Sequence, residues 1–344
     1  MSSQTVLPAL HVPARTIPVP TTISAAAQRV LAFPPPAPTA WPDDLEAQLA
    51  IIDTLTAQTP PGQQGPMVSG CYAAAPTTVP CRVERIEFDG VQVAVATPEG
   101  VTDADPRVLL VFHGAFIFGG GHLADSGATM LAGTLGIRTW ALDYPMPPLH
   151  QYPTQQLHAV AAYRRLLQDH DPQHIVFSGV SAGGNLLLAT LLRIKDEGLP
   201  MPAAAIINTP LADLTTSGDT IFTNNGVDAS YAAGDDSATS GDLAVILRMY
   251  AGDADLTEAY LSPILGDYAG FPPALLTSGT RDFLLSDTVR VHRKLRAAGV
   301  QAELHVWEAA GHFLFLGLAP EDHERAAETR RFIEKHCPAP SGQE

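Results

Sequence analysis

Apolar and polar positions vary along the chain in a pattern that predicts alternating strands and helices from about residue 83 onward. Val83–Phe88 and Val91–Ala96 are predicted strands, and the Asp89-Gly90 pair between them is typical of a tight hairpin turn. Arg107–Phe112 follows as an apolar run of the kind that fills a parallel sheet covered on both faces. Five more strands are predicted, at Arg138–Tyr144, His174–Ser178, Ala203–Asn208, Ala274–Ser278 and Ala302–Trp307.

Segments with apolar residues at helical spacing separate these strands. Strands that alternate with helices on this scale predict a mostly parallel central sheet, flanked by helices on both faces and entered by an antiparallel hairpin. The predicted fold class is therefore α/β. The predicted helices lie at Leu123–Leu135, Gln155–Asp169, Ala182–Glu197, Ser286–Ala298 and Glu321–His336.

Two segments break the alternation. Residues 1–80 are rich in proline and contain one helical stretch, Leu45–Leu55, whereas residues 211–268 are rich in Asp, Gly, Ser and Thr, with one helix near Leu243–Tyr250. Because ligands of such sheets bind beyond the carboxyl ends of the strands, we expect these two segments to form a cap there. The predicted division is an N-terminal cap region at 1–80, the main α/β domain at 81–210 and 269–344, and a cap insertion at 211–268.

Charge and hydropathy exclude several classes of partner. The formal net charge is -16, which argues against nucleic acid or an anionic membrane surface, since both need concentrated positive charge. The longest apolar runs, such as Val108–Phe112, are too short to span a bilayer. Residues 1–5 show neither the basic nor the apolar part of a signal peptide. We expect a soluble, cytoplasmic protein, and the sequence leaves a homodimer open.

The cysteines and the polar clusters give no metal signature. Three cysteines, Cys71, Cys81 and Cys337, cannot all pair within one chain, and none has the spacing of a metal site. Free thiols are expected, with a Cys71–Cys81 disulfide as the less favoured alternative. The His/Asp cluster at residues 170–174 is better interpreted as a solvated helix end. No metal and no cofactor are expected.

The strongest chemical signal is the pentapeptide Gly179-Val180-Ser181-Ala182-Gly183, directly after a predicted strand and directly before a predicted helix. In such a turn the glycines let the backbone bend where a Cβ would clash, so that the serine projects at the sheet edge. A glycine-rich turn with a capping serine is the structural alternative. The strand-turn-helix context favours Ser181 as a nucleophile, which then needs a histidine elsewhere to remove its proton.

The acid and the base are expected to follow the serine in the order Asp or Glu, then His. His312 lies just beyond the last predicted strand, and Asp282 follows the strand before it. Asp287 is the rival acid, but it falls in the first turn of the next helix. We therefore predict Ser181 as nucleophile, His312 as general base and Asp282 as the acid that orients it. Other histidines of this region are expected to be structural or solvated: His305, His323 and His336.

A third element, His113-Gly114-Ala115-Phe116, follows the predicted strand Arg107–Phe112. Acyl transfer needs backbone N–H groups aimed at the developing oxyanion, and small residues keep the backbone accessible. The predicted donors are Gly114, Ala115 and Ala182, with His113 as support for the loop and with Phe116 and Val180 in the pocket.

Together these motifs resemble the hormone-sensitive-lipase-like carboxylesterases, also called bacterial family IV, of the α/β-hydrolase superfamily. The resemblance extends from about Val108 to the last helix and implies an α/β-hydrolase fold, a cap domain and cofactor-free hydrolysis of carboxylic esters of small to medium acyl chains. Its motifs, in order, are the loop at His113, Asp143-Tyr144, Gly179 to Asn185, Thr209 to Asp219, Tyr260 to Pro263, Asp282 to Asp287, and Gly311-His312-Phe313.

The sequence departs from the family pattern at three places around the expected pocket. His-Gly-Ala-Phe replaces the usual His-Gly-Gly-Gly or His-Gly-Gly-Ala, and Val180 stands where Asp is common. Pro145 to Leu149 replaces the usual Arg-Leu-Ala-Pro-Glu. We expect these changes to affect substrate choice: Ala115 and Phe116 would narrow the space for bulky alcohols, unless the loop bulges and recovers that space through Gly119 to Gly121.

Two alternative functions remain beside ester hydrolysis. One is a small-molecule-binding protein of the same fold without turnover, and the other is a lactonase or amidase variant. Receptor-like proteins that resemble this family lack the catalytic histidine, so the presence of His312 favours an enzyme. A peptidase is disfavoured because the sequence encodes no accessory domain.

Overall fold

The computed structural model describes residues 13–33, 39–58, 78–228 and 241–340. Within them, eight strands form a single sheet in the order β1-β2-β4-β3-β5-β6-β7-β8. The strands are β1 Cys81–Phe88, β2 Val91–Pro98, β3 Val108–Phe112, β4 Arg138–Asp143, β5 Ile175–Val180, β6 Ala204–Asn208, β7 Ala274–Gly279 and β8 Ala302–Trp307.

The helices include every segment for which the sequence predicts helical periodicity, and two short helices that the sequence pattern does not indicate, Ala25–Leu31 and Asp219–Thr223. Short 3₁₀ turns lie at Pro172–His174 and Pro263–Leu265. The helices are α1 Ala25–Leu31, α2 Leu45–Ala57, α3 His122–Leu135, α4 Thr154–Asp169, α5 Ala182–Asp196, α6 Asp219–Thr223, α7 Asp242–Ala251, α8 Leu285–Ala297 and α9 Pro320–His336.

The sheet is antiparallel at its start and parallel from there on. β1 pairs with β2, and β2 pairs with β4, in antiparallel register, whereas β4, β3, β5, β6, β7 and β8 pair in parallel. Asp89 and Gly90 join β1 to β2 with φ angles of 48° and 76°, the left-handed geometry that a two-residue hairpin requires. The predicted α/β fold, with a mostly parallel sheet entered by a hairpin, is confirmed.

Helices cover both faces of the sheet and account for the unbroken apolar runs of its central strands. Every residue of β3, β5, β6 and β7 is buried. Helices α4, α5 and α8 pack on one face, while α3 and α9 pack on the other. Burial of both faces removes the need for polar positions in these strands, as expected for parallel sheets.

The insertion and part of the N-terminal region pack over the carboxyl edge of the sheet. Ile52 of α2 and Leu247 of α7 share one apolar cluster with Phe116 and Ala182. The Thr39 N–H donates to the carboxylate of Asp242, which links the two segments. Part of residues 39–58 and part of the insertion therefore lie in one layer above the predicted site, and a cap role for this layer is a proposal.

Helix α1 lies elsewhere. Its Ala27 and Val30 pack against Ala310 and Phe315, and the N–H and hydroxyl of Ser24 donate to Glu321 at the start of α9. The N-terminal region thus contacts the molecule at two separate places.

The predicted cysteine pairing lies partly outside the described residues, because Cys71 falls in the stretch 59–77. Cys337 is buried as a free thiol beneath the sheet, and burial raises its pKa to about 11. The cluster at residues 170–174 forms the turn before β5, where Asp171 accepts a hydrogen bond from the Gln173 N–H. Within the described ranges, no helix has the length and apolar character needed to cross a bilayer.

Candidate active site

The turn between β5 and α5 holds Ser181 in a strained conformation at the sheet edge. Ser181 has φ 56° and ψ -121°, a region that non-glycine residues rarely occupy. A Cβ on Gly179 would lie 2.4 Å from the Gly183 carbonyl oxygen, and a Cβ on Gly183 would lie 1.9 Å from the Phe112 carbonyl oxygen. Glycine is therefore required at both positions by close backbone approach, as the sequence motif predicted.

Ser181, His312 and Asp282 form one hydrogen-bonded row. Ser181 Oγ lies 2.8 Å from His312 Nε2, and His312 Nδ1 lies 3.0 Å from Asp282 Oδ1. The structure thus brings together the three residues predicted from the sequence, although 131 positions separate the serine from the histidine. They meet because β5, β7 and β8 are parallel and their carboxyl ends share one edge of the sheet.

The Asp282 carboxylate is fully buried and satisfied on both oxygens. Oδ2 accepts hydrogen bonds from the Thr209 hydroxyl and, at 2.6 Å, from the Ser278 hydroxyl. Oδ1 also accepts the Leu284 N–H at 2.9 Å. Burial alone would raise the pKa of Asp282, but the imidazole of His312 and the three side-chain hydrogen bonds outweigh it and lower the pKa. The geometry therefore favours an ionised acid beside the imidazole.

Thr209 is a site residue to which the sequence analysis assigned no role. Its hydroxyl contacts Asp282 and also lies 2.9 Å from His312 Nδ1. Its φ is 41°, an unusual value for a β-branched residue, and its N–H donates to the carbonyl of Thr277. Its position directly after β6 could have indicated a role in the site, because the residues that follow parallel strands lie together at this edge of the sheet.

Asp287, the rival acid, makes a different set of contacts. Its Oδ2 accepts the N–H groups of Ala212 and Asp213 at 2.9 and 3.0 Å, and its Oδ1 lies 3.4 Å from Arg290. Burial, with the nearby charge of Asp213, raises the pKa of Asp287 to about 7. Asp287 thus holds the chain just after β6, while Asp282 faces the imidazole.

Two of the three predicted oxyanion donors, Gly114 and Ala182, lie beside Ser181. A Cβ on Gly114 would be 3.5 Å from the Ser181 Cβ, so the loop after β3 runs directly past the serine. Ala182 is the first residue of α5, where N–H groups have no partner within the helix. Ala115 and Phe116 have φ angles of 69° and 61°, so the loop adopts left-handed geometry at two positions without glycine.

The two residues predicted to line the pocket lie in different environments. The Phe116 ring stacks on the Tyr250 ring of the insertion, with 3.8 Å between centroids and an angle of 8°. Val180 instead points into the core that α3 and α9 cover. Alternation along β5 explains this, because residue 180 shares a face with Val176. Val180 therefore packs beneath the loop, and its place in the pocket stays a prediction.

His113 supports the loop from below, as predicted. Its ring stacks on Tyr144, and its Nδ1 lies 3.2 Å from the Gly114 carbonyl oxygen and 3.3 Å from the Tyr144 hydroxyl. A Cβ on Gly119 would lie 2.5 Å from Nδ1, so the glycine run folds back onto this ring. Burial lowers the pKa of His113 to about 4, against smaller opposing effects of the Gly114 carbonyl and Asp143.

The described part of the chain contains no group of three or more His, Cys, Asp or Glu side chains arranged to hold a metal ion. A cavity of about 410 Å³ lies within the insertion, between Leu214–Thr216, α7 and residues 252–256. None of the predicted site residues lines it.

We expect His113 to make stability depend on pH. Its folded pKa of about 4 lies below its ordinary value of 6.5, so the unfolded chain binds the proton first as pH falls. The contribution of neutral His113 to the free energy of unfolding is present above about pH 6.5 and is lost as the pH falls toward 4. The loss amounts to about 2 kcal/mol at pH 5. Thermal unfolding should show a larger decrease of Tm between about pH 7 and pH 5 for the wild type than for His113→Asn. Equal decreases would contradict this role.

Comparison with known proteins places the chain in a family. The alpha/beta hydrolase fold family matches residues 109–316. An acetyl-hydrolase of Streptomyces hygroscopicus is 32% identical over 65% of this chain and 74% of its own length. An esterase of Acinetobacter venetianus is 30% identical over 64% of this chain and 73% of its own length.

Solved structures agree with this placement. The crystal structure of esterase E25 superposes with a TM-score of 0.81 at 29% identity, over 95% of this chain and 99% of its own. An esterase from the bacterial hormone-sensitive lipase family superposes with a TM-score of 0.73 at 26% identity, over 91% and 99% of the two chains. The chain therefore belongs to the α/β-hydrolase fold family, among its hormone-sensitive-lipase-like esterases.

Proposed function

We propose that the protein hydrolyses carboxylic esters of small to medium acyl chains through Ser181, His312 and Asp282. The observation that carries this proposal is the row of contacts from Ser181 Oγ to His312 Nε2 at 2.8 Å and from His312 Nδ1 to Asp282 at 3.0 Å. Relatives named acetyl-hydrolase and esterase support an ester substrate.

The first half-reaction forms an acyl-enzyme. Ser181 Oγ attacks the ester carbonyl carbon while His312 Nε2 takes the hydroxyl proton. The N–H groups of Gly114, Ala115 and Ala182 then bind the oxyanion of the tetrahedral intermediate. As the C–O bond breaks, His312 returns the proton to the leaving alcohol, and the acyl group stays on Ser181.

The second half-reaction releases the acid. His312 Nε2 removes a proton from a water molecule, whose oxygen attacks the acyl carbon, and Ser181 leaves with that proton. Asp282 holds Nδ1 protonated, so that Nε2 is the free base, and its buried charge stabilises the imidazolium formed in each half-reaction.

Two other functions use the same site. A binding protein without turnover would keep the pocket, but the direct contact between Ser181 and His312 favours catalysis. A lactonase or amidase would use the same attack on a different carbonyl. Steady-state assays with a series of p-nitrophenyl esters from acetate to laurate, a lactone and an activated amide would distinguish the three.

The first prediction concerns the nucleophile. Ser181→Ala should abolish turnover without loss of folding, because the covalent step needs the hydroxyl. An organophosphate should label the wild type with one equivalent and leave the variant unlabelled. Ser126→Ala, which changes a buried hydroxyl of α3, is the matched control and should stay active. A Ser181→Ala variant that keeps a tenth of the activity would overturn the assignment.

A second prediction separates the two buried acids. Asp282→Asn should lower kcat by about 10⁴, because an amide holds the imidazole in the wrong tautomer. Asp287→Asn should lower kcat far less, since Asp287 contacts backbone N–H groups and Arg290. Steady-state assays with p-nitrophenyl acetate measure kcat of both variants. If Asp287→Asn were the more damaging change, Asp282 would not be the orienting acid.

The third prediction concerns the alcohol part of the ester. Ala115 and Phe116 occupy the loop beside the nucleophile, so we expect good hydrolysis of n-butyl acetate and poor hydrolysis of tert-butyl acetate. Ala115→Gly removes the methyl group and suits the positive φ, and it should raise kcat/KM for the tert-butyl ester relative to the n-butyl ester. Comparable values for both esters in the wild type would show that the loop does not restrict the alcohol.

A further inference from the structure

One carboxylate of the insertion contacts the backbone of both loops that carry the acid and the base. Asp228 is 1% exposed, and it lies in the insertion between β6 and β7. Its Oδ2 accepts the N–H of His312 at 2.8 Å and the N–H of Phe283 at 3.3 Å. Phe283 directly follows Asp282, so a single oxygen ties the loop after β7 to the loop after β8.

Two more residues of the same segment bind the acid loop. Asn224 Nδ2 donates to the carbonyl of Asp282 at 2.9 Å and to the carbonyl of Thr280 at 3.2 Å. Thr220 Oγ1 donates to the Phe283 carbonyl and accepts the N–H of Ser286. The main chain around Asp282 is thus held from residues 220–228 as well as from its own strand.

These contacts help to set the distance between the Asp282 carboxylate and the His312 imidazole, on which proton transfer from Ser181 depends. The Asp282 and His312 side chains lie 3.0 Å apart and come from two loops. These loops also contact each other directly, since the Arg281 N–H donates to the Ala310 carbonyl and the Ala309 N–H to the Thr280 hydroxyl. A charged acceptor makes stronger hydrogen bonds than a neutral one. Asp228 accepts two of them, one from the N–H of Phe283 next to the acid and one from the N–H of His312, the base.

We propose that Asp228 is a positioning residue through which the insertion fixes the relative placement of Asp282 and His312. The inference rests on the proposed function for its effect on turnover, but its structural part does not. Loss of the Asp228 acceptor would let the imidazole drift from both partners, and a displacement of about 1 Å can cost about 10² in rate. Substrate contacts with Phe116 and Ala182 would stay in place.

The kinetic test compares three variants with p-nitrophenyl acetate as substrate. Asp228→Ala should lower kcat by about 10² with little change in KM. Asp228→Asn keeps an oxygen that can accept both N–H groups, so it should keep most of the wild-type kcat that Asp228→Ala loses. Asp219→Ala removes an exposed acid of the same insertion and should match the wild type. Wild-type kcat in Asp228→Ala, or an equal loss in Asp228→Asn, would overturn the proposal.

A second measurement does not depend on turnover. Hydrogen–deuterium exchange of peptides containing Phe283 and His312 should be faster in Asp228→Ala than in Asp219→Ala, also when Ser181 is replaced by alanine. Activity remaining in Ser181→Ala would refute the proposed function alone, whereas unchanged exchange would refute the role of Asp228. If Asp228→Ala does not fold, Asp228→Glu replaces it: the displaced acceptor should lower kcat, and wild-type kcat would overturn the inference.

Discussion

A buried negative charge at Asp282 is the constraint on which the rest of the site depends. An ionised carboxylate removed from water costs several kcal/mol unless paired and hydrogen-bonded groups offset that cost. Here the offset comes from His312, the hydroxyls of Thr209 and Ser278, and the N–H of Leu284. These groups come from the ends of β6 and β7 and from the loop after β8, so the charge is tolerated only when the whole edge is assembled.

Strained backbone is concentrated around that charge. Ala115, Phe116, Ser181 and Thr209 all have positive φ angles, and such conformations cost of order 1–3 kcal/mol each. The strands beneath are buried on both faces, and the Ser181 N–H donates to the Asn208 carbonyl of the neighbouring strand. The strain is therefore held by the rigid sheet below and by the apolar layer above, where Phe116 stacks on the insertion.

The sequence predicted those features that depend on local pattern or on strand ends. Apolar runs placed the parallel strands, and the turn at Ser181 with the strand-end positions of Asp282 and His312 placed the row of side chains. Asp228 escaped prediction because its contact with His312 spans 84 positions, which no local pattern encodes. Thr209 contacts Asp282 across 73 positions, and only its place directly after β6 indicated a role in the site. The packing of Val180 beneath the loop follows from the alternation of β5, since position 180 shares the face of Val176.

The strand order explains why the insertion reaches the acid and the base at all. β6 lies between β5, which precedes Ser181, and β7, which precedes Asp282, so the segment that leaves the carboxyl end of β6 starts inside the site. Because β6 and β7 are parallel, this segment then crosses to the amino end of β7. The chain leaves β6 through Thr209, which touches Asp282 and His312, and it passes Asp228 before returning to β7. The described part of this segment is therefore hydrogen-bonded to both loops. A displacement of residues 220–228 would act through these hydrogen bonds on the backbone beside Asp282 and at His312, because the same segment binds both loops.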